Sequence, residues 1–203
     1  MIRTLNSLRF ILILMIVISH STLPIPQDLI NYLGEFPVAI FFVISGFVLS
    51  LSKGEKLQKE VLGNRNFFLS RIIKLYPLHI LILAILILMD WRLGRILPWY
   101  QILSHSLLIQ TWYPAHDFTA HLNEATWFIS DLIFFYLIFK YLYAWIMRHS
   151  WLYLLATISI YMAVYISISL CAQADYSAGY IYVHPLFRMI DFMIGILLYK
   201  VCR

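Results

Sequence analysis

Six apolar runs succeed one another along the chain, at 7–22, 36–52, 78–91, 126–147, 151–171 and 185–201, most of them close to the length that crosses a bilayer and 78–91 short unless completed by its flanks. A helix needs roughly 20 apolar residues to span the hydrocarbon core, and backbone groups in lipid must find partners within their own segment. The fold class implied is all-α: a polytopic integral membrane helix bundle with about six to seven transmembrane helices. Composition agrees, with 62% hydrophobic and 12% charged residues and a mean hydropathy of +0.81, where a soluble domain carries about 25% charge. The net charge of +5 does not indicate nucleic acid, because the basic residues cluster beside apolar runs in the pattern of cytoplasmic anchoring. Cys171 and Cys202 form no CxxC and have no partner spacing, so neither a disulfide framework nor a zinc site is expected. Residues 1–23 lack a small-x-small cleavage site and precede further spans, which argues against a cleaved signal peptide.

The first run, SLRFILILMIVISHS, is apolar except near its ends, where Arg9 and His20 stand. They stand eleven positions apart, about three helical turns, so both project from one face about 16 Å apart. Ionisable residues at that depth are functional candidates by default. The plain alternative is a cytoplasmic anchor at Arg9 and a snorkelling imidazole at His20. Arg3 and Arg9, with no acid nearby, place the N-terminus in the cytoplasm.

Pro24 and Pro26 end the first helix, and a loop to about residue 35, with Asp28 and Glu35 and no Lys or Arg, suits the outer side. The second run contains Ser45-Gly46, a small-residue notch that lets helices approach closely; Ser45 is also a catalytic candidate. Residues 53–77 hold Lys53, Lys56, Lys59, Arg65, Arg71 and Lys74 against Glu55 and Glu60, as a cytoplasmic loop does. Arg71 and Lys74 share a helical face at i,i+3, suited to lipid phosphates or to the phosphates of a nucleotide-bearing cofactor. Pro77 marks a break before the third run.

Residues 96–112, interrupted by His105 and two serines, read as a polar-faced helix or as a re-entrant segment lining a cavity. The re-entrant reading puts Arg148 and Lys200 inside and fits the charge bias better. The segment 113–128 carries His116, Asp117, His121 and Glu124, but the spacing is not that of a metal motif and no second cluster supports one, so no metal is expected. Asp131 lies inside an apolar span within a turn of Trp127, placed to pair with a base or hold a hydroxyl. Arg188 and Asp191 stand at i,i+3 as an expected ion pair. No internal repeat supports an inverted-repeat transporter.

Taken in order, five stretches resemble the membrane-bound acyltransferase family 3. RTLNSLRFILILMIVISHS is similar to its first helix, with Arg9 and His20. AIFFVISGFVLS is similar to its phenylalanine-rich segment, with Phe41, Phe42, Ser45, Gly46 and Phe47. FLSRIIKLYPLHI carries the basic pair and tyrosine-proline, at Arg71, Lys74, Tyr76 and Pro77. TWFISDLIFFYL resembles the tryptophan-led helix, and HPLFRMIDFMIGILL the helix with Pro185, Arg188, Asp191, Phe192 and Gly195. The sequence departs from the pattern in three ways. The basic pair ends in Lys74 where a second arginine is frequent. A frequent glutamate is replaced by Leu132, with Asp131 its neighbour about 100° round the helix. The chain is also shorter than members usually are, so residues 1–203 read as a single acyltransferase-like domain, incomplete at its C-terminus.

The resemblance implies a membrane O-acyltransferase, most simply an O-acetyltransferase, that moves an acyl group from cytoplasmic acyl-CoA to a hydroxyl of a cell-envelope glycan or related acceptor. Lipopolysaccharide, peptidoglycan, an exopolysaccharide, a Nod-type oligosaccharide and a macrolide all remain open as acceptors. It places the chain as a multi-pass protein of the inner membrane, with membrane lipid, acyl-CoA and the acceptor as partners, acyl-CoA as donor substrate and no bound cofactor. His20 becomes general base or transient acyl carrier, Arg9 steadies the donor's charge, and Arg71 and Lys74 receive the CoA phosphates. Ser45, Trp127, Asp131 and Arg188 remain further candidates. The competing reading is a polysaccharide exporter or flippase, or an inactive short relative.

Overall fold

The computed structural model describes residues 2–24, 26–112, 122–171 and 181–203, and no strand occurs among them. The helices are α1 Ile2–Ser19, α2 Gln27–Leu49, α3 Glu55–Gln58, α4 Asn64–Arg92, α5 Trp99–Leu107, α6 Trp127–Arg148, α7 Trp151–Cys171 and α8 Pro185–Cys202. A π-helical turn, Ser50–Gly54, joins α2 to α3. Four helical stretches among the described residues are long and apolar enough to cross a membrane: Gln27–Gln58, α4, α6 and Trp151–Leu170. Thr4–Ser19 is a shorter apolar helix.

Two boundaries differ from the sequence expectation, and a third stretch takes a shape of its own. The stretch before residue 35, read as an outer loop, is helical from Gln27. Pro26 serves as the N-cap, and its carbonyl accepts the Leu29 and Ile30 N–H groups at 3.0 Å each. Asp28 in the first turn complements the positive end of the helix dipole. Pro77 does not break the chain, because α4 runs through it from the basic loop to Arg92. Residues 96–112 form no single helix. The short α5 ends at Leu107, Leu108 takes a left-handed conformation (φ 55°, ψ 40°), and a 3-10 turn spans Gln110–Trp112.

The chain divides into two compact units, Met1–Ser52 with Asp191–Arg203, and Lys53–Ile190. In the first, α1 packs on α2, and Gly34 comes close enough that an added Cβ would meet the Ser19 Oγ at 3.3 Å. The C-terminal part of α8 crosses α2 at two glycines. A Cβ on Gly46 would fall on the Phe192 carbonyl oxygen, and one on Gly195 on the Val43 carbonyl oxygen. The small-residue notch is therefore a site of backbone approach. Phe42, Phe192 and Ile196 are fully buried in this unit.

In the second unit, α4 and α6 pack through aromatic side chains. Phe67 meets Phe139 at 5.8 Å and Tyr136 edge-on at 6.3 Å. Gly54 lies against Tyr143, where an added Cβ would come within 2.5 Å of the ring. Most of α7 is exposed apolar surface, as a lipid-facing helix requires.

Candidate functional site

A buried polar seam in the second unit runs along the first turns of α6. Gln110, Thr111 and Trp112, three consecutive residues after α5, meet α6 at positions four apart. The Gln110 amide donates to the Thr126 hydroxyl at 3.2 Å, the Thr111 and Ser130 hydroxyls lie 2.8 Å apart, and the Trp112 ring meets Phe134 edge-on at 4.9 Å. Thr126, Ser130 and Phe134 share one helical stripe, which is why a single short turn can dock on all three. Ser130 donates its own hydrogen to the Leu108 carbonyl at 2.5 Å. A hydroxyl has one hydrogen, so the bond between the two hydroxyls is donated by Thr111.

Asp131 sits beside this seam and is fully buried. Its polar neighbours are the Arg188 guanidinium and the Thr111 hydroxyl. Thr111 spends its hydrogen on Ser130, and neither Asp131 carboxylate oxygen receives a hydrogen bond within normal geometry. Arg188 stands 4.0 Å over the Tyr182 ring and 5.8 Å from the Trp127 ring centre, and its Nε–H donates to the Tyr182 carbonyl at 2.7 Å. Trp127 and Tyr182 meet edge-on at 5.1 Å. Three candidates separated by up to 61 positions in the sequence, Trp127, Asp131 and Arg188, thus come together. The Arg188 guanidinium reaches back from α8 to Tyr182 and Trp127.

His184 precedes α8 and caps it. Its Nδ1 accepts the Leu186 N–H at 3.2 Å, and its ring packs edge-on against Trp112 at 5.4 Å. Burial holds its pKa below the usual imidazole value.

Arg71 and Lys74 lie on α4 of the same unit. Arg71 is half-buried, with its guanidinium 5.5 Å over Phe67 and 5.8 Å over Tyr136, and its Nε is buried with no hydrogen-bond acceptor among the described residues. Lys74 is exposed. Further along α4, the Tyr76 hydroxyl donates to the Ser106 carbonyl and the His79 Nε2–H to the His105 carbonyl, both at 2.8 Å. In the sequence Tyr76 carries no assigned role, and His79 is hidden inside an apolar run. The signal that exposes His79, Gln110, Thr111 and Ser130 is their polarity within apolar stretches.

The first unit holds Arg9, His20 and Ser45. Arg9 is half-buried on α1. The helix ends at Ser19, so His20 is exposed in the turn beyond it, although its N–H still reaches the Ile16 carbonyl at 3.2 Å. Ser45 donates to the Phe41 carbonyl at 2.7 Å. His116, Asp117 and His121 lie outside the described residues, and no metal-holding group of three His, Cys, Asp or Glu occurs within them.

The family described as "Acyltransferase domain" matches residues 2–201. Among curated proteins, the chain is similar to "Acyltransferase MdmB" of Streptomyces mycarofaciens, with 33% identity over 119 residues. That stretch covers 56% of this chain and 30% of the relative, so the chain spans about a third of the curated relative it matches. No solved structure matches.

Proposed function

The chain belongs to the acyltransferase domain family, and we propose that it is a multi-pass inner-membrane O-acyltransferase, with its N-terminus in the cytoplasm and acyl-CoA, most simply acetyl-CoA, as donor. The acceptor is a hydroxyl of a cell-envelope glycan or a related molecule. Arg71 and Lys74 hold the donor's phosphates. The His20 imidazole takes the acceptor hydroxyl's proton, the hydroxyl oxygen bonds to the thioester carbonyl carbon, and the carbon–sulfur bond breaks. The proton leaves with the thiolate as the free thiol of CoA. Imidazole suits this task because its ordinary pKa lies near neutrality. Arg9 steadies charge on the donor.

The observation that carries the reading is the state of Arg71. Its Nε–H is buried and has no acceptor among the described residues, the guanidinium lies beside two aromatic rings, and an exposed lysine stands one helical turn away, an arrangement suited to receiving an anion. A phosphate matches both the fork of Arg71 and the point charge of Lys74.

The test supplies acetyl-labelled CoA to membranes carrying the chain and tracks label into glycan and lipid fractions. Wild type transfers label, and His20→Ala and Lys74→Ala both stop it. Transfer that survives in His20→Ala but not in Lys74→Ala overturns this division of labour. Glycan export without acetyl-CoA consumption favours the transporter reading instead.

A further inference from the structure

Helix α5 ends inside an apolar unit, and a helix leaves its last carbonyls without intrahelical donors. In such surroundings each unpaired carbonyl is costly. The chain meets the cost in an organised way. Backbone N–H groups of Ile109 and Leu108 serve the Ser104 and His105 carbonyls at 3.0 and 3.2 Å. The other donors are side chains: His79 on His105, Tyr76 on Ser106 and Ser130 on Leu108. Tyr76 and His79 come from one helix, three positions apart, and grip adjacent carbonyls.

Between these grips and the polar seam sits Leu108 at φ 55°. A leucine in the left-handed region is sterically crowded, and such a residue persists only where its surroundings over-determine it. Immediately beyond Leu108, the 3-10 turn delivers Gln110 and Thr111 to α6 beside Asp131.

We propose that Tyr76 and His79 are positioning residues, which pin the end of α5 so that the crowded turn at Leu108 presents Gln110 to Thr126 and Thr111 to Ser130 beside the buried Asp131. They fasten that turn to the helix that carries Arg71 and Lys74, so donor pair and polar seam keep a fixed register. The role in turnover rests on the acyl-transfer reading; the pinning itself does not. Neither side chain is available to the donor's phosphates, because each donates to a backbone carbonyl. Because a carbonyl only accepts, the His79 Nε2 carries a hydrogen in this bond.

The test uses the full chain in lipid nanodiscs for amide exchange over 104–112, and native membranes for CoA-thiol release from acetyl-CoA. Tyr76→Phe and His79→Leu each raise exchange and lower turnover by about tenfold or more, while the acetyl-CoA KM moves less than about twofold. His79→Gln keeps a side-chain N–H for the His105 carbonyl and retains turnover within about threefold. Leu108→Gly, added to Tyr76→Phe, recovers part of both losses, because glycine holds the left-handed conformation unaided. Unchanged exchange and turnover in Tyr76→Phe and His79→Leu overturn the proposal. A His79→Gln variant as inactive as His79→Leu, with a flattened pH–rate profile, overturns it in favour of a proton-carrying His79. If wild type consumes no acetyl-CoA, the acyl-transfer reading fails by itself, and amide exchange still decides whether Tyr76 and His79 hold the turn.

Discussion

The Thr111 hydroxyl donates to Ser130 across 2.8 Å, and through Ser130 the chain of hydrogens ends on the Leu108 carbonyl. Removing the middle member leaves two buried groups short of a partner. Ser130→Ala is expected to cost about 1–3 kcal/mol. Thermal unfolding of the purified protein in lipid checks this, and an unchanged midpoint would show that the seam is held by packing alone.

Asp131 and Arg188 interact electrostatically in the same region. Replacing Asp131 by leucine removes the carboxyl that faces the Thr111 hydroxyl and feels the Arg188 charge, and the expected loss is about 1–3 kcal/mol. Asp131→Asn keeps the shape and loses less. The double change Asp131→Leu with Arg188→Met recovers most of the stability, which a double-mutant cycle reads directly. Additive losses would mean the two side chains act independently.

The crossing of α2 and α8 depends on two missing methyl groups. Gly195→Ala drives a Cβ into the Val43 carbonyl oxygen and to 2.8 Å from the Phe47 nitrogen, both backbone atoms that cannot swing away. Gly195→Ala and Gly46→Ala are each expected to cost about 1–3 kcal/mol as overpacking. Equal melting midpoints for Gly195→Ala and wild type would contradict the close crossing.

His184 gives a pH dependence of definite sign. Its Nδ1 must be unprotonated to accept the Leu186 N–H, and its folded pKa lies below the usual value of about 6.5. As pH falls through that usual value, the unfolded chain takes up a proton that the folded chain refuses. Stability therefore declines with falling pH, and the decline stops once the folded pKa is passed. His184→Asn supplies a neutral cap at the same place. Melting curves between about pH 8 and pH 5 should show a smaller drop for the variant than for wild type, and parallel drops would dismiss the effect.

Much of this architecture can be read from periodicity and charge alone. The apolar runs are helices because lipid leaves the backbone no other option, and the boundaries of α6, α7 and α8 fall within a residue or so of the apolar limits. The misreadings have a common cause. Prolines at 24, 26 and 77 suggest breaks. Pro24 and Pro26 do lie in the gap between α1 and α2, but α2 starts directly after Pro26, and Pro77, like Pro37, lies inside a helix whose packing outweighs one lost hydrogen bond. Trp127, Asp131 and Arg188 are visible individually as polar or aromatic marks in apolar runs. Their meeting is not, because it depends on how the start of α8 approaches α6. Tyr76 and His79 escape because their partners are backbone carbonyls, which no side-chain pattern records.

Pro77 lends α4 a mechanical weakness. Lacking an N–H, it leaves the Ile73 carbonyl without its helical donor, and the turn between Lys74 and His79 becomes the easiest place for the helix to bend. Tyr76 stands just before that weak turn and His79 just after it, and both are fastened to α5. The short helix thus works as a splint, bridging the flaw from outside so that force applied at the basic end of α4 is carried past the proline rather than absorbed there.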